Sequence, residues 1–340
     1  MAKEAMLYEK AESGAVRCNL CAHRCRIAPG ARGICQVREN QDGRLVSLVY
    51  ERAVAASVDP IEKKPFFHFL PGTRAFSIAT VGCNFRCTFC QNYHISHLEA
   101  CGGKIMGRPL PATEVIRLAE AEGCASISYT YTEPTVFFEY ALSCARLAAD
   151  RGIKNNFVTN GYMTEEAWRT IGPWLDAANV DLKAMRDDFY REYSGARLGP
   201  VLDSIRLAKS LGIWIEVTTL VIPGLNDSDE ELREIAEFLA GVGCEVPWHV
   251  SRFHPDHKML QIPPTPTETL RRAHKIGLDA GLRYVYIGNV PGEEGESTLC
   301  PRCGNMVLSR VGYRMTAVDV RDAKCGRCGF ALDGVGLDAL

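Results

Sequence analysis

A chain of 340 residues, 46% hydrophobic and 24% charged, is ordinary globular material, long enough for one large domain with small appendages. A formal net charge of −2 excludes a global electrostatic footprint for nucleic acid or an anionic membrane. No apolar run approaches the ~20 residues of a membrane span, and the opening residues carry acidic side chains where a secretion signal is apolar. Fifteen cysteines in such a chain point to metal or redox chemistry in the cytoplasm rather than to disulfides.

In chain order, residues 1–74 form a Cys-rich N-terminal segment and lead-in. "CNLCAHRC" with Cys35 supplies four thiols, Cys18, Cys21, Cys25 and Cys35. Two readings compete for them: a structural zinc site involving His23, or a second Fe-S cluster that relays electrons. The segment lacks the fuller spacing of a ferredoxin, which tips the reading toward zinc.

Residues 75–290 alternate β-rich runs with amphipathic ones. The strand candidates are "AFSIATV", "SISYTY", "NNFVTN", "ANVDLKA", "IWIEVTTLVI" and "WHVSRF", with "RYVYIG" as a seventh. Between them, "ATEVIRLAEAEG", "PTVFFEYALSCARLAADRG", "LDSIRLAKSLG", "SDEELREIAEFLAGVG" and "PTETLRRAHKIGLDAG" repeat apolar residues at helical spacing. Ser228 with Glu231 marks one helix start, and Gly152, Gly212 and Gly281 mark helix ends. Repeated strand–helix units predict a parallel sheet with crossovers, and six or so units predict a partial, open (β/α)6-type α/β barrel.

Residues 291–340 follow a Gly- and Glu-rich linker. "CPRCG" and "CGRCG" place Cys300, Cys303, Cys325 and Cys328 as paired knuckles, the pattern of a zinc ribbon, with rubredoxin-type iron using the same ligands. A metal substitutes for a core in so short a tail, which is expected to fold on its own. Arg302, Arg310, Arg314, Arg321 and Arg327 read as a solvated face balanced by Asp319, Asp322 and Asp333, so nucleic acid is not the expected partner. The scattered Cys101, Cys124, Cys144 and Cys244 read as small buried hydrophobes or inert thiols.

The informative stretch is "TVGCNFRCTFCQN". Cys83, Cys87 and Cys90 fall within eight residues, directly after a strand, where α/β barrels place their chemistry. A structural zinc site closes with four ligands; three cysteines leave a position open. On a 4Fe-4S cluster they leave one iron free for a further ligand. The competing readings are chance, or zinc completed by His94 or His97.

"CNFRCTFC" resembles the cluster motif of the radical S-adenosylmethionine (SAM) superfamily. The resemblance implies a 4Fe-4S cluster whose open iron chelates the amino and carboxylate groups of SAM, with Phe89 near the adenine. Later strand ends carry it further. In "YTYTEPT" Glu133 takes the place that holds the SAM amino group, although Tyr131 and Thr132 replace the usual two glycines. "VTNG" puts Asn160 near the ribose or carboxylate, "VDLKA" brings Asp181 and Lys183 to the same mouth, and "SRFHP" points His254 at the reaction centre. "GNVPG" resembles a segment close to the adenine.

"CNLCAHRCRI", "GARGICQVREN" and "DPIEKKPFFHFLPG" resemble the leader of the AmmeMemoRadiSam branch, within the pyruvate formate-lyase activating enzyme-like group. The implied activity is one-electron cleavage of SAM to a 5′-deoxyadenosyl radical that abstracts hydrogen, with a glycyl residue of a partner protein as substrate by analogy with that group. The implied electron donor is a flavodoxin or ferredoxin. Radical modification of another macromolecule or metabolite is the alternative, as is a non-enzymatic electron-transfer or metal-sensing protein.

Overall fold

The computed structural model describes residues 3–290 and 292–340, with Cys101 and Glu294 described by backbone alone. Its centre is an eight-stranded sheet. Strand β1 (Ala55–Pro60) pairs antiparallel with β2 (Arg74–Ala79). Six strands then add in parallel and in chain order: β3 (Ser126–Tyr129), β4 (Lys154–Thr159), β5 (Ala177–Asp181), β6 (Trp214–Val221), β7 (Trp248–Arg252) and β8 (Val285–Gly288). The two ends of the order, β8 and β1, do not pair, so the barrel stays open. Every expected strand is present, and the seventh candidate is β8.

The sheet begins earlier than the boundary at residue 74. β1 lies in the lead-in, and "AASVDP" is a half-buried edge with no apolar run to mark it. The N-terminal segment is otherwise two small antiparallel sheets. Its Val16, Leu20, Ile27, Val37 and Leu45 belong to the same buried cluster as the barrel interior.

Crossover helices α1 (Ala112–Ala121), α2 (Phe138–Ala149), α3 (Glu165–Ile171), α4 (Gly199–Ser210), α5 (Asp229–Val242) and α6 (Thr267–Asp279) join the parallel strands. α5 shows why they form. It buries Leu232, Ile235, Ala236 and Leu239, spaced by three or four residues, and the Ser228 hydroxyl accepts the Glu231 N–H at 3.2 Å. Glu231 does not return the bond as a capping box would; its carboxylate accepts the Met185 N–H at 2.9 Å and Arg186 Nε at 3.0 Å, tying the helix start to the loop after β5. Gly152 and Gly212 end α2 and α4 in the left-handed region, at φ 72° and 78°. The short α3 has too few turns to show periodicity; what marks it is its start, where Thr164 Oγ1 accepts the Ala167 N–H at 3.3 Å and Glu165 and Glu166 fill the first turn.

The tail forms a hairpin, β9 (Met306–Val311) with β10 (Arg314–Val318), over a small core of Val307, Leu308, Val320, Leu332 and Leu337 that is separate from the barrel's. It nevertheless docks firmly. Arg310, read from sequence as part of a solvated face, is 3% exposed. It donates to Thr298 Oγ1 and to the Phe67 carbonyl, both at 2.8 Å, and lies 3.8 Å from the buried Glu62. The reason is Glu62: a buried carboxylate needs a cation, and the tail supplies one. Arg283 and Tyr284 also bond Asp333. No helix among the described residues is long and apolar enough to cross a membrane.

Candidate metal and cofactor site

The loop after β2 is shaped by Gly82. Its φ is +99°, and a Cβ there would meet Val37 Cγ1 at 2.5 Å and the Cys35 carbonyl at 3.1 Å, so only glycine lets the N-terminal segment pack against the loop. From the other side a single π-turn, Tyr190–Ser194, clasps it: Arg86 and Thr88 donate their N–H groups to the Ser194 and Tyr193 carbonyls at 2.8 and 2.9 Å. Each thiol meets a polar neighbour. The Phe85 N–H points at Cys83 Sγ (3.3 Å), Ser194 Oγ stands 3.6 Å from Cys87 Sγ, and Ser96 Oγ 3.2 Å from Cys90 Sγ. Burial pushes Cys83 far above an ordinary thiol and Cys87 up to about 11, the latter against the pull of Lys183. Bare, they are protonated; bound to cations they become thiolates.

All three cysteines open onto one cavity of about 470 Å³ at the C-terminal ends of the parallel strands. Phe89, Glu133, Asn160, Asp181 and Lys183 line it too. Glu133 is 3% exposed and fixed by four donors: Thr135 N (3.0 Å), Thr135 Oγ1 (2.5 Å), Thr159 Oγ1 (2.7 Å) and Asn160 N (2.8 Å). Burial outweighs these bonds and raises its pKa. Asn160 Nδ2 donates to Asn84 Oδ1 at 2.7 Å. Lys183 pairs with Asp181 at 2.9 Å and stands 5.6 Å from the Phe89 ring centre. Burial would lower the Lys183 pKa, but Asp181 and Cys87 hold it above the ordinary value.

His254 is the exception. It is exposed and does not line the cavity, because Phe253 turns inward, with its N–H on Thr265 Oγ1 at 2.9 Å, and the next side chain turns out. Of "GNVPG", Gly288 and Asn289 border the cavity, and Pro291 lies outside the described residues.

Several cavity residues escape a reading by motif. Tyr131, one of two residues standing where glycines are usual, adopts φ 63°, so the chain follows the glycine path with a side chain attached. Tyr131 is held there by its hydroxyl, which donates to Asp59 and stands 2.9 Å from Ser57 Oγ, and by Lys64, whose ammonium is 4.1 Å from the ring centre. Burial would raise the Asp59 pKa, but hydrogen bonds from Lys63, Lys64 and Tyr131 outweigh it and hold the carboxylate below its usual range. His249, bonded to Glu216 at 2.7 Å, and Tyr313 of the tail complete the wall. The signal for Lys63 and Lys64 was the leader stretch "DPIEKKPFF"; nothing marks Tyr313 in the sequence.

The outer cysteine sets differ from each other. In the tail, Cys300 and Cys328 Sγ are 3.6 Å apart, Cys303 and Cys325 3.8 Å, and all four sulfurs lie within 4.8 Å of one another. Tetrahedral ligands at a metal–sulfur distance of 2.3 Å stand about 3.8 Å apart, so the set fits a single ion. Gly304 and Gly329 turn the two knuckles at φ 68° and 69°. Cys18, Cys21, Cys25 and Cys35 line a second, smaller cavity of about 20 Å³ with His23, Arg38 and Asn84. Cys124 and Cys144 are buried and Cys244 half-buried, while the side chain of Cys101 lies outside the described residues.

Three thiols without a fourth, opening on a cavity that holds a buried carboxylate, an amide and an ion pair, fit a 4Fe-4S cluster with SAM beside it. The family model of the radical SAM superfamily matches residues 77–239. An uncharacterised protein of Methanocaldococcus jannaschii is 44% identical over 334 residues, 97% of this chain and 99% of that one. The pyruvate formate-lyase-activating enzyme of Clostridium pasteurianum is 21% identical over 217 residues, 63% of this chain and 84% of that one. A radical SAM methyltransferase from Sphaerobacter thermophilus aligns in structure with a TM-score of 0.49 and 19% identity, over 63% of this chain and 66% of that one.

Proposed function

This chain belongs to the radical SAM superfamily, and we propose that it is an activating-type enzyme that removes a hydrogen atom from a glycyl residue of a partner protein. The observation that carries the reading is the meeting of Cys83, Cys87, Cys90, Glu133, Asn160, Asp181 and Lys183 on one cavity. Cys83, Cys87 and Cys90 would hold a 4Fe-4S cluster there with SAM beside it, which would supply one-electron cleavage of SAM to methionine and a hydrogen-abstracting 5′-deoxyadenosyl radical.

The chain's residues bind and orient. Cys83, Cys87 and Cys90 hold the cluster as thiolates, with the Phe85 N–H and the Ser194 and Ser96 hydroxyls facing their sulfurs. Glu133, locked by Thr135, Thr159 and the Asn160 N–H, presents a carboxylate to the methionyl ammonium. Asn160 contacts the ribose or carboxylate, Lys183 and Asp181 grip the zwitterionic end, and Phe89 packs on the adenine. Electrons come from a flavodoxin or ferredoxin in the cytoplasm, and the tail cysteines hold zinc. The glycyl substrate is supported by a second Methanocaldococcus jannaschii relative, named a putative glycyl-radical enzyme activating enzyme and 23% identical over 218 residues. His254 receives no role.

The test is anaerobic. Reconstituted, dithionite-reduced protein should change its EPR spectrum on adding SAM and release 5′-deoxyadenosine, and the triple alanine variant of Cys83, Cys87 and Cys90 should do neither. Equal output from both identifies an electron-transfer protein instead. Deoxyadenosine without any protein-borne radical in a candidate glycyl-radical partner moves the substrate to another macromolecule or metabolite.

A further inference from the structure

We infer that Cys18, Cys21, Cys25 and Cys35 hold a second iron–sulfur cluster rather than a single zinc ion, and that it lies on the electron's path to the barrel cysteines. The first ground is a comparison inside the molecule. The tail's four sulfurs already stand at single-ion spacing, whereas no three thiols of the N-terminal set, with or without His23, come within 4.8 Å of one another. They nonetheless line a common void of about 20 Å³. A lone zinc draws four sulfurs to about 3.8 Å, a spacing that this set does not show. A cluster separates its cysteines by interposing irons and sulfides.

The second ground is hydrogen bonding. Arg38 and Asn84 line this cavity and are each 1% exposed. Arg38 Nη1 points at Cys18 Sγ at 3.5 Å, and its other terminal nitrogen pairs with Glu139. Asn84 Nδ2, however, is a buried donor with no acceptor among the described residues, whereas Arg38 Nε has the equally unpaired Glu139 Oε2 of its own ion pair to turn to. Leaving such a group unpaired costs about 1–3 kcal/mol. Zinc in a four-thiolate shell adds no acceptor atom. The sulfides of a cluster do, and hydrogen bonds to them tune its potential.

The third ground is position. Asn84 follows Cys83 directly, its carbonyl meets His23 Nε2 at 2.8 Å, and Cys35 packs its own carbonyl against Gly82. The N-terminal cavity therefore backs onto the barrel's cysteine loop. Its outer wall is Ile34, 43% exposed. A single electron from a soluble low-potential carrier thus has a path from the surface, through this site, to the barrel cysteines, with no bond made or broken on the way. The metal assignment stands independently of the proposed SAM chemistry; the relay rests on it.

The triple alanine variant of Cys83, Cys87 and Cys90 separates the two, because its N-terminal site is native. Reconstituted anaerobically, it should hold about four irons with matching acid-labile sulfide and one zinc per chain. Mössbauer spectroscopy should show a cluster signature. Two zinc ions without sulfide, or no metal beyond the tail's, overturns the assignment. Should the variant misfold, wild-type protein gives the same answer through its iron content, about eight per chain against about four. For the relay, the EPR spectrum of fully reduced wild type should show two interacting spins. A plain sum of two isolated signals overturns it.

Discussion

Asp181 and Lys183 show what one residue contributes at the site. Their pair is 2.9 Å long, with the lysine largely buried and the aspartate 37% exposed, so the carboxylate faces the cavity with capacity to spare. Asp181→Ala should lower SAM affinity about tenfold or more, the equivalent of one charge-assisted hydrogen bond, while iron content stays at the wild-type level. Anaerobic equilibrium dialysis with parallel iron analysis reads both; a loss of iron would place Asp181 in cluster assembly instead. Gly82 is the complementary case, where a side chain is excluded. With φ +99° and Val37 Cγ1 only 2.5 Å from a new Cβ, Gly82→Ala should cost about 2–4 kcal/mol in urea denaturation. An unchanged midpoint would show that the N-terminal segment is not seated on the loop.

At the scale of an element, helix α5 connects stability to the site. Its cap, the Ser228 hydroxyl on the Glu231 N–H, is worth about 1 kcal/mol by the usual cost of removing such a residue. Ser228→Ala should therefore lower thermal stability by that amount and leave SAM affinity untouched. Glu231→Ala should do more, because its carboxylate holds Met185 and Arg186 in the loop that follows Lys183. Measuring melting and SAM binding together separates the two effects. The π-turn Tyr190–Ser194 belongs to the same loop and reaches the cysteines, so the β5–α4 connection is the element that joins the metal loop to the rest of the barrel.

For the molecule as a whole, the question is how the tail stays attached. His68 sits at the junction, fully buried, bonding the Asp333 carbonyl at 2.6 Å and the Tyr286 hydroxyl at 2.5 Å. Its Nδ1 must donate to the carbonyl, which leaves Nε2 as acceptor for the Tyr286 hydroxyl when the imidazole is neutral. Burial lowers its pKa to about 4. The unfolded chain takes up this proton near pH 6.5, before the folded one does, so the His68 contribution is full above that pH and is lost as pH falls toward 4. The loss is at most about 3 kcal/mol. Denaturation at pH 7 and pH 5 should show a steeper acid loss for wild type than for His68→Gln. Equal slopes would mean that other groups govern the acid limb.

The sequence by itself determined whatever depends on local spacing. Three thiols in eight residues, two CxxC knuckles, the Ser228 cap and the strand–helix alternation are properties of neighbours along the chain, and all were legible there. Glu133, Asn160, Asp181 and Lys183, read as candidates from sequence, line one cavity because each lies at or just beyond the end of a parallel strand, and parallel strands deliver their ends to one face. Only the tertiary structure could decide what depends on partners far apart in sequence. It buried Arg310 against Glu62 and turned His254 to solvent. It gave Tyr131 the φ of a glycine by holding its ring with Lys64 and Asp59, and it set Gly82 against Cys35. The N-terminal cysteines illustrate the limit best. Their spacing left zinc and a cluster as rivals, and what separates the two is how far apart folding holds the sulfurs and which buried donors it leaves facing them.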